Sequence, residues 1–309
     1  MLRFTLRSLV HLIVVLWGVV TITFLALRLS GNPLDALLSP EATEQQRAQL
    51  TEQLGLDQPI AMQYLLFLRQ LGSGDLGRSI ITGTRAGQLV GDQFAHSLLL
   101  TVLALAVSAV VGVGLGVLAA TRRGGLIDRS VVALAALAQA APLFWVGLIL
   151  IIVFAVHLQV LPASGMGGAS HLVLPVVALA SGIMPYVLRL TRTTMLGVLD
   201  TEFIRFQQAT GLGHRSIIYR HALKNCLPPV VTLLGLQAGP LLGGVVVIET
   251  VFGRSGVGSL LIDSIYSRDY PVVQAAVLVI VVAVVLANVL ADLLVAVIDP
   301  RVRLGRTAS

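Results

Sequence analysis

Charge is what this sequence has least of. Only 12% of its 309 residues are Asp, Glu, Lys or Arg, about half the roughly 25% that a soluble domain carries. A surface facing water cannot be covered with so few. Cysteine occurs once, at Cys226, which excludes an intrachain disulfide and a cysteine-based metal cluster; a small packing residue is the expected role. Lysine also occurs once, at Lys224. There is no GxxxxGK loop followed by Ser or Thr, so the chain has no phosphate cradle of that kind. Neither HExxH nor a histidine pair at ligand spacing is present, which leaves metal hydrolysis without support. What is abundant is apolar: 56% of residues, with a mean hydropathy of +0.91.

The apolar residues fall into six runs, at about 9–29, 97–120, 131–156, 172–190, 228–248 and 272–298. Each is long enough to cross about 30 Å of hydrocarbon at 1.5 Å per residue. The first follows Arg3 and Arg7 but is too long for a signal h-region, and no small-residue cleavage site follows it, so a retained helix is expected. The expectation is an all-α membrane protein with about six transmembrane helices. Its parts are an N-terminal span (1–30), an outer helical segment (31–96) and a five-helix core (97–309) with an inner loop at 191–227.

A net charge of +6 and a pI near 10.2 fit topology better than nucleic acid. The basic residues are scattered over short inter-helix segments, with no basic stripe interleaved with aromatics. With the N-terminus inside, 14 of the 21 basic residues fall on inner segments, including Arg122, Arg123, Arg129, Arg189 and Arg192. Most acidic residues fall outside, among them Asp35, Glu41, Asp57, Asp92 and Asp263. Both termini are therefore expected in the cytoplasm.

Within the outer segment, residues 43–54 have helix-forming composition with Thr43 as N-cap. Residues 59–71 repeat the pattern, with Pro59 at the start and Gly72 past the end. The inner stretch 191–227 is polar and longer than a mere connection requires, which reads as a docking surface for another protein. Gly112 and Gly116 sit one helical turn apart inside the second run, where small residues let helices approach closely. Pro142, Pro175, Pro185 and Pro240 mark kinks in or beside spans. Asp292, with Asn288 one turn earlier, is the clear polar pair inside a span and reads as a helix–helix hydrogen bond rather than a transport group. The sequence Gly253-Arg254-Ser255-Gly256 matches the GxSG of intramembrane serine proteases, but such an enzyme needs a histidine on another span, and the sixth run has none.

Taken together, the motifs resemble those of ABC importer permeases of the dipeptide/oligopeptide/nickel type. The inner loop carries Glu202-Phe203-Ile204-Arg205, Ala209-Thr210-Gly211-Leu212 and Arg220-His221-Ala222-Leu223-Lys224-Asn225. Gly74-Asp75-Leu76-Gly77-Arg78-Ser79 looks like the family's GDLGxS, and Leu161-Pro162-Ala163-Ser164-Gly165 its LPASG. Glu249-Thr250-Val251-Phe252, Gly256-Val257-Gly258 and Arg268-Asp269-Tyr270-Pro271 match its last outer segment, and Asp299-Pro300-Arg301-Val302-Arg303 its tail. Five motifs in order span nearly the whole chain. There are departures: Ser255 stands where proline is usual, and Arg205-Phe206-Gln207-Gln208-Ala209-Thr210-Gly211 replaces a run such as RTARAKG.

The resemblance implies a type I ABC importer-like fold in a bacterial inner membrane. It implies a permease without an ATPase site of its own, importing di- or oligopeptides, or alternatively nickel or another small solute. The implied partners are a second homologous permease, two ATPase subunits that bind ATP and Mg, an extracytoplasmic solute-binding protein, and membrane lipid. Coupling to the ATPase is implied for Glu202, Arg205, Ala209, Thr210, Gly211, Leu212, Arg215, Arg220 and His221. Outer-face or gating roles are implied for Asp75, Gly77, Glu249, Gly256, Gly258 and Asp269. A short helix in the inner loop, ended by Gly211 as a left-handed cap, would seat in the ATPase.

Overall fold

A computed structural model describes residues 2–29, 34, 43–53 and 55–298, with side chains from Val14 onward except at 53, at 292 and beyond 293. The Asp292 side chain, Asp35, Glu41 and the Asp299–Arg303 motif lie outside the described residues. Among the described residues twelve helices follow one another: α1 Leu2–Leu29, α2 Glu44–Gln53, α3 Ile60–Gly72, α4 Ala86–Thr121, α5 Leu126–Ala140, α6 Leu143–His157, α7 Ser170–Ser181, α8 Met184–Leu199, α9 Glu202–Ala209, α10 His214–Val251, α11 Val257–Tyr266 and α12 Tyr270–Ile298. Among the described residues the one β feature is an isolated bridge between Arg78 and Arg85.

Three helices, α4, α10 and α12, are each long and apolar enough to cross a membrane, and two bent pairs raise the number to five. The 28 residues of α1 cover the first apolar run. The third and fourth runs are not straight spans. In the third, α5 and α6 meet at 109°. Pro142 is the cause: its ring disfavours helical backbone at the residue before it, and Ala141 is extended, with ψ of 131°. In the fourth, α7 and α8 meet at 55° around Gly182 and Ile183, with Pro185 opening α8. Both α6 and α10 also carry π-helical turns, at Ile151–His157 and Ile217–Ala222.

The chain forms two compact units. One comprises Met1–Ser97 with Ser255–Ala283, the other Leu98–Arg254 with Val284–Ser309. In the first, Phe24 of α1 is buried under α3: its ring stacks on Phe67 at 5.7 Å and meets Tyr64 at 5.2 Å. The Tyr64 hydroxyl lies 2.6 Å from Thr21 Oγ1. Ala86 and Val90 pack with Val257, Val272, Ala275 and Ala276. Thr43 caps α2 reciprocally with Gln46, each backbone N–H donating to the other's side-chain oxygen.

In the second unit, α4, α7, α8 and α10 share a core around Leu179, Val187, Val245 and Ile248. The paired glycines are packing residues. A methyl group at Gly112 would come within 2.8 Å of Val187 Cβ, and one at Gly116 within 2.6 Å of Thr191 Cβ, so α4 and α8 cross in near backbone contact. Gly235 and Gly239 play the same part between α10 and α12, against Ala291 and Asn288.

Candidate functional site

The stretch 191–227 is not a loop in the structure. Its first part continues α8 and its last part opens α10, leaving α9 as a short separate helix between two tight turns. Alternating demands fix α9 in place. Ile204 is fully buried among Met195, Ile217, Ala222 and Cys226. Gln207, one turn on, is buried too; its amide donates to His221 Nδ1 at 3.0 Å. Phe203 meets the His221 ring edge-on at 6.4 Å.

The C-terminus of α9 is closed by Gly211. Its φ is +81°, a left-handed conformation that costs a residue with a Cβ roughly 1–2 kcal/mol. The Leu212 amide donates to the Gln207 carbonyl and the Gly211 amide to that of Gln208, the paired bonds of a Schellman cap. The Thr210 hydroxyl adds a bond to the Gln207 carbonyl.

Among the described residues the other face of α9 is largely uncovered, its one ring contact being that of Phe203 with His221. Phe206 is 69% exposed and Phe203 52%; Glu202, Arg205, Ala209, Thr210, Leu212 and Arg215 are exposed beside them, as are Tyr219 and Arg220. His221 is partly buried and serves α9 from within. Two phenylalanines bare on a helix that is otherwise well anchored, rimmed by charge, have the anatomy of a protein interface. Cys226 is buried, in keeping with a packing residue.

Sequence reading passed over the ion pair that joins α5 to α8. Asp128, on the first turn of α5, accepts two bonds from Arg192 of α8, Nε to Oδ1 at 2.6 Å and Nη2 to Oδ2 at 2.8 Å. The Gly124 amide donates to Oδ2 as well. Asp128 lies ahead of the apolar stretch that starts near 131, and its side chain is 4% exposed. The signal available in the sequence was an acid placed among inner arginines, against the bias of the rest.

The motifs of 74–79 and 249–271 form two separate groups, one in each unit. In the first unit, Asp75 Oδ1 accepts the Gly77 amide at 3.0 Å, turning the chain. Gly77 has φ of +80°, and a Cβ there would stand 3.2 Å from Pro271. Ser79 donates its hydroxyl to Asp269, which also accepts the Ile80 amide at 3.1 Å. GDLGRS and RDYP are thus one structure. Gly256 and Gly258 are buried at the start of α11, where the Ser97 hydroxyl accepts the Val257 amide at 2.9 Å. In the second unit, Arg254 donates to the Gly165 and His171 carbonyls at 3.3 and 3.2 Å, and its amide donates to the Glu249 carbonyl. The Gly165 amide returns a bond to the Phe252 carbonyl, so LPASG and ETVF are one structure too. Burial lowers the Arg254 pKa from its ordinary value, opposed by the Glu249 carboxylate. Ser255 is exposed, and among the described residues its hydroxyl bonds no histidine.

Known proteins bear on this arrangement. The family described as binding-protein-dependent transport system inner membrane component matches residues 112–304, and its N-terminal companion matches 1–99. A probable peptide ABC transporter permease protein of Sinorhizobium fredii, y4tP, is 38% identical, covering 97% of this chain and 99% of its own. The dipeptide transport system permease protein DppB of Alkalihalophilus pseudofirmus is 36% identical, over 98% and 100%. Among solved structures, an inward-facing form of the MetNI methionine ABC transporter has the same fold over 69% of this chain and 97% of its own, with a TM-score of 0.59 at 20% identity.

Proposed function

The chain belongs to the family of binding-protein-dependent transport system inner-membrane components, the membrane-spanning permease subunits of ABC importers, and from that premise we propose that it carries di- or oligopeptides into the cell. The full-length relatives named for peptide and dipeptide transport support that substrate class. Neither nickel nor proteolysis at Ser255 gains a supporting observation.

The observation that carries the mechanism is the bare face of α9. An anchored helix that shows Phe203 and Phe206 to solvent is a handle for a separate subunit. In this reading α9 seats in a cleft of an ATPase subunit that binds ATP and Mg, with Glu202, Arg205 and Arg215 at the rim and Arg220 on the adjoining turn. Closure of the ATPase pair displaces α9, and with it α8 and α10, which continue from it on both sides. A second homologous permease completes the path, and a solute-binding protein delivers peptide at the outer face; Asp75, Gly77, Gly256, Gly258 and Asp269 shape the outer loops of one unit and Glu249 those of the other. In this reading α9 and both termini lie in the cytoplasm, an orientation that the arginine distribution supports.

The test is reconstitution. Expressed with the subunits encoded beside it, the chain is expected to recover ATPase subunits on purification and to take up labelled dipeptide into proteoliposomes only with ATP and the binding protein. Flux through the purified chain alone, or no ATPase recovered, contradicts the reading.

A further inference from the structure

The partly buried ion pair between α5 and α8 has a geometry that mere bracing does not require. Asp128 and Arg192 join α5 to α8 through two parallel, charge-assisted bonds, a geometry that fixes direction as well as distance. Two further bonds tie the turn between α4 and α5, one within the turn itself and one, exposed, to the end of α8. The Gly124 amide donates to Asp128, and Arg123 reaches Asp200 at 3.3 Å, the residue that leads from α8 into α9. The stem from which α9 hangs is therefore fastened to the start of α5.

The length of α5 carries that attachment away. Its 15 residues span about 22 Å at 1.5 Å each, from the clamp to the corner at Ala141 and Pro142. There the chain turns through 109° into α6. On α6, Gly147 approaches the far end of α10 so closely that a Cβ would lie 3.2 Å from both Val251 and Phe252. Two helices joined at the Pro142 corner thus link the end of α8 to the opposite end of α10. A buried ion pair adds little to stability over well-packed apolar residues of the same volume, and its best-attested use is to fix registry.

We propose that the Asp128–Arg192 pair is the strut that passes movement of α9 into α5, and so couples ATP hydrolysis to opening of the path. Both are positioning residues that touch neither nucleotide nor solute. The inference rests on the permease reading above. The experiment measures, in the reconstituted transporter, ATPase recovery, ATP hydrolysis and dipeptide uptake for Asp128→Asn, for the charge exchange Asp128→Arg with Arg192→Asp, and for the apolar replacement Asp128→Leu with Arg192→Met. The apolar pair removes both charges together and leaves neither one unpaired, so it separates a strut from a brace. The expected result is normal assembly and hydrolysis with uptake per ATP reduced about tenfold, a coupling change of the size that intermediary residues produce, in Asp128→Asn and in the apolar pair. Uptake per ATP is expected to recover in the charge exchange. Unchanged uptake per ATP in the apolar pair overturns the proposal, as does a parallel loss of assembly, hydrolysis and uptake in every variant. A wild-type chain that recovers no ATPase overturns the proposed function first, and this with it.

Discussion

Two groups of motif residues look alike in sequence and differ in what surrounds them. On α9 and its flanks, Glu202, Phe203, Arg205, Phe206, Ala209, Gly211 and Leu212 are exposed, and only Ile204 and Gln207 of that helix turn inward. In 249–271, Glu249, Arg254, Gly256, Gly258 and Asp269 are all buried, and each polar one whose bonds are resolved holds a turn within its own unit. One motif set forms a bare surface, which the proposed function assigns to a partner. The other is internal carpentry, which shapes whatever surface its loops present. A recurring sequence pattern thus conceals two physical roles, and substitution separates them by which readout moves.

The largest effect is expected at Asp269. Asp269→Ala strips the Ser79 hydroxyl and the Ile80 amide of their acceptor, and the cost of leaving such groups buried is about 3 kcal/mol. Unfolding in detergent should move to clearly lower temperature, with ATPase recovery per folded chain unchanged. The reverse pattern is expected at Phe206. Phe206→Glu leaves unfolding in place but weakens capture of the ATPase by about 2 kcal/mol, the scale of an interface hot spot, read as loss of the subunit in co-purification.

A matched pair of glycines sharpens the contrast. Gly77→Ala and Gly211→Ala both force a Cβ into left-handed backbone, at about 1 kcal/mol each. Gly77 also meets Pro271, whereas Gly211 faces open space. The first should show in unfolding temperature. The second should show mainly in ATPase capture, because it loosens the cap of α9. At the small end, Ser255→Ala at an exposed site should stay within about 0.5 kcal/mol in stability and leave uptake intact.

Much of this was legible in the sequence. Apolar length alone located α4, α10 and α12, Thr43 announced the cap of α2, and Gly211 announced the end of α9, because each depends on local chemistry. The pairing of GDLGRS with RDYP was not legible, since Ser79 and Asp269 are far apart in the chain and nothing local says that they meet. Nor was the sharp corner at Pro142, which sits inside an apolar run that reads as one span. Asp128 escaped for a related reason: its meaning comes from Arg192 on another helix. The lone thiol, which sequence places on the inner segment and invites as a topology probe, is buried at the α9 core.

That burial makes Cys226 a silent background for the most direct test of the central account, that α9 is a bare handle on the cytoplasmic side. Phe206→Cys in the intact transporter, treated with a membrane-impermeant maleimide in right-side-out and inside-out vesicles, should label only in the inside-out preparation, and labelling should rise when the ATPase subunits are stripped away. Labelling from the right-side-out preparation, or labelling indifferent to the ATPase, would contradict it.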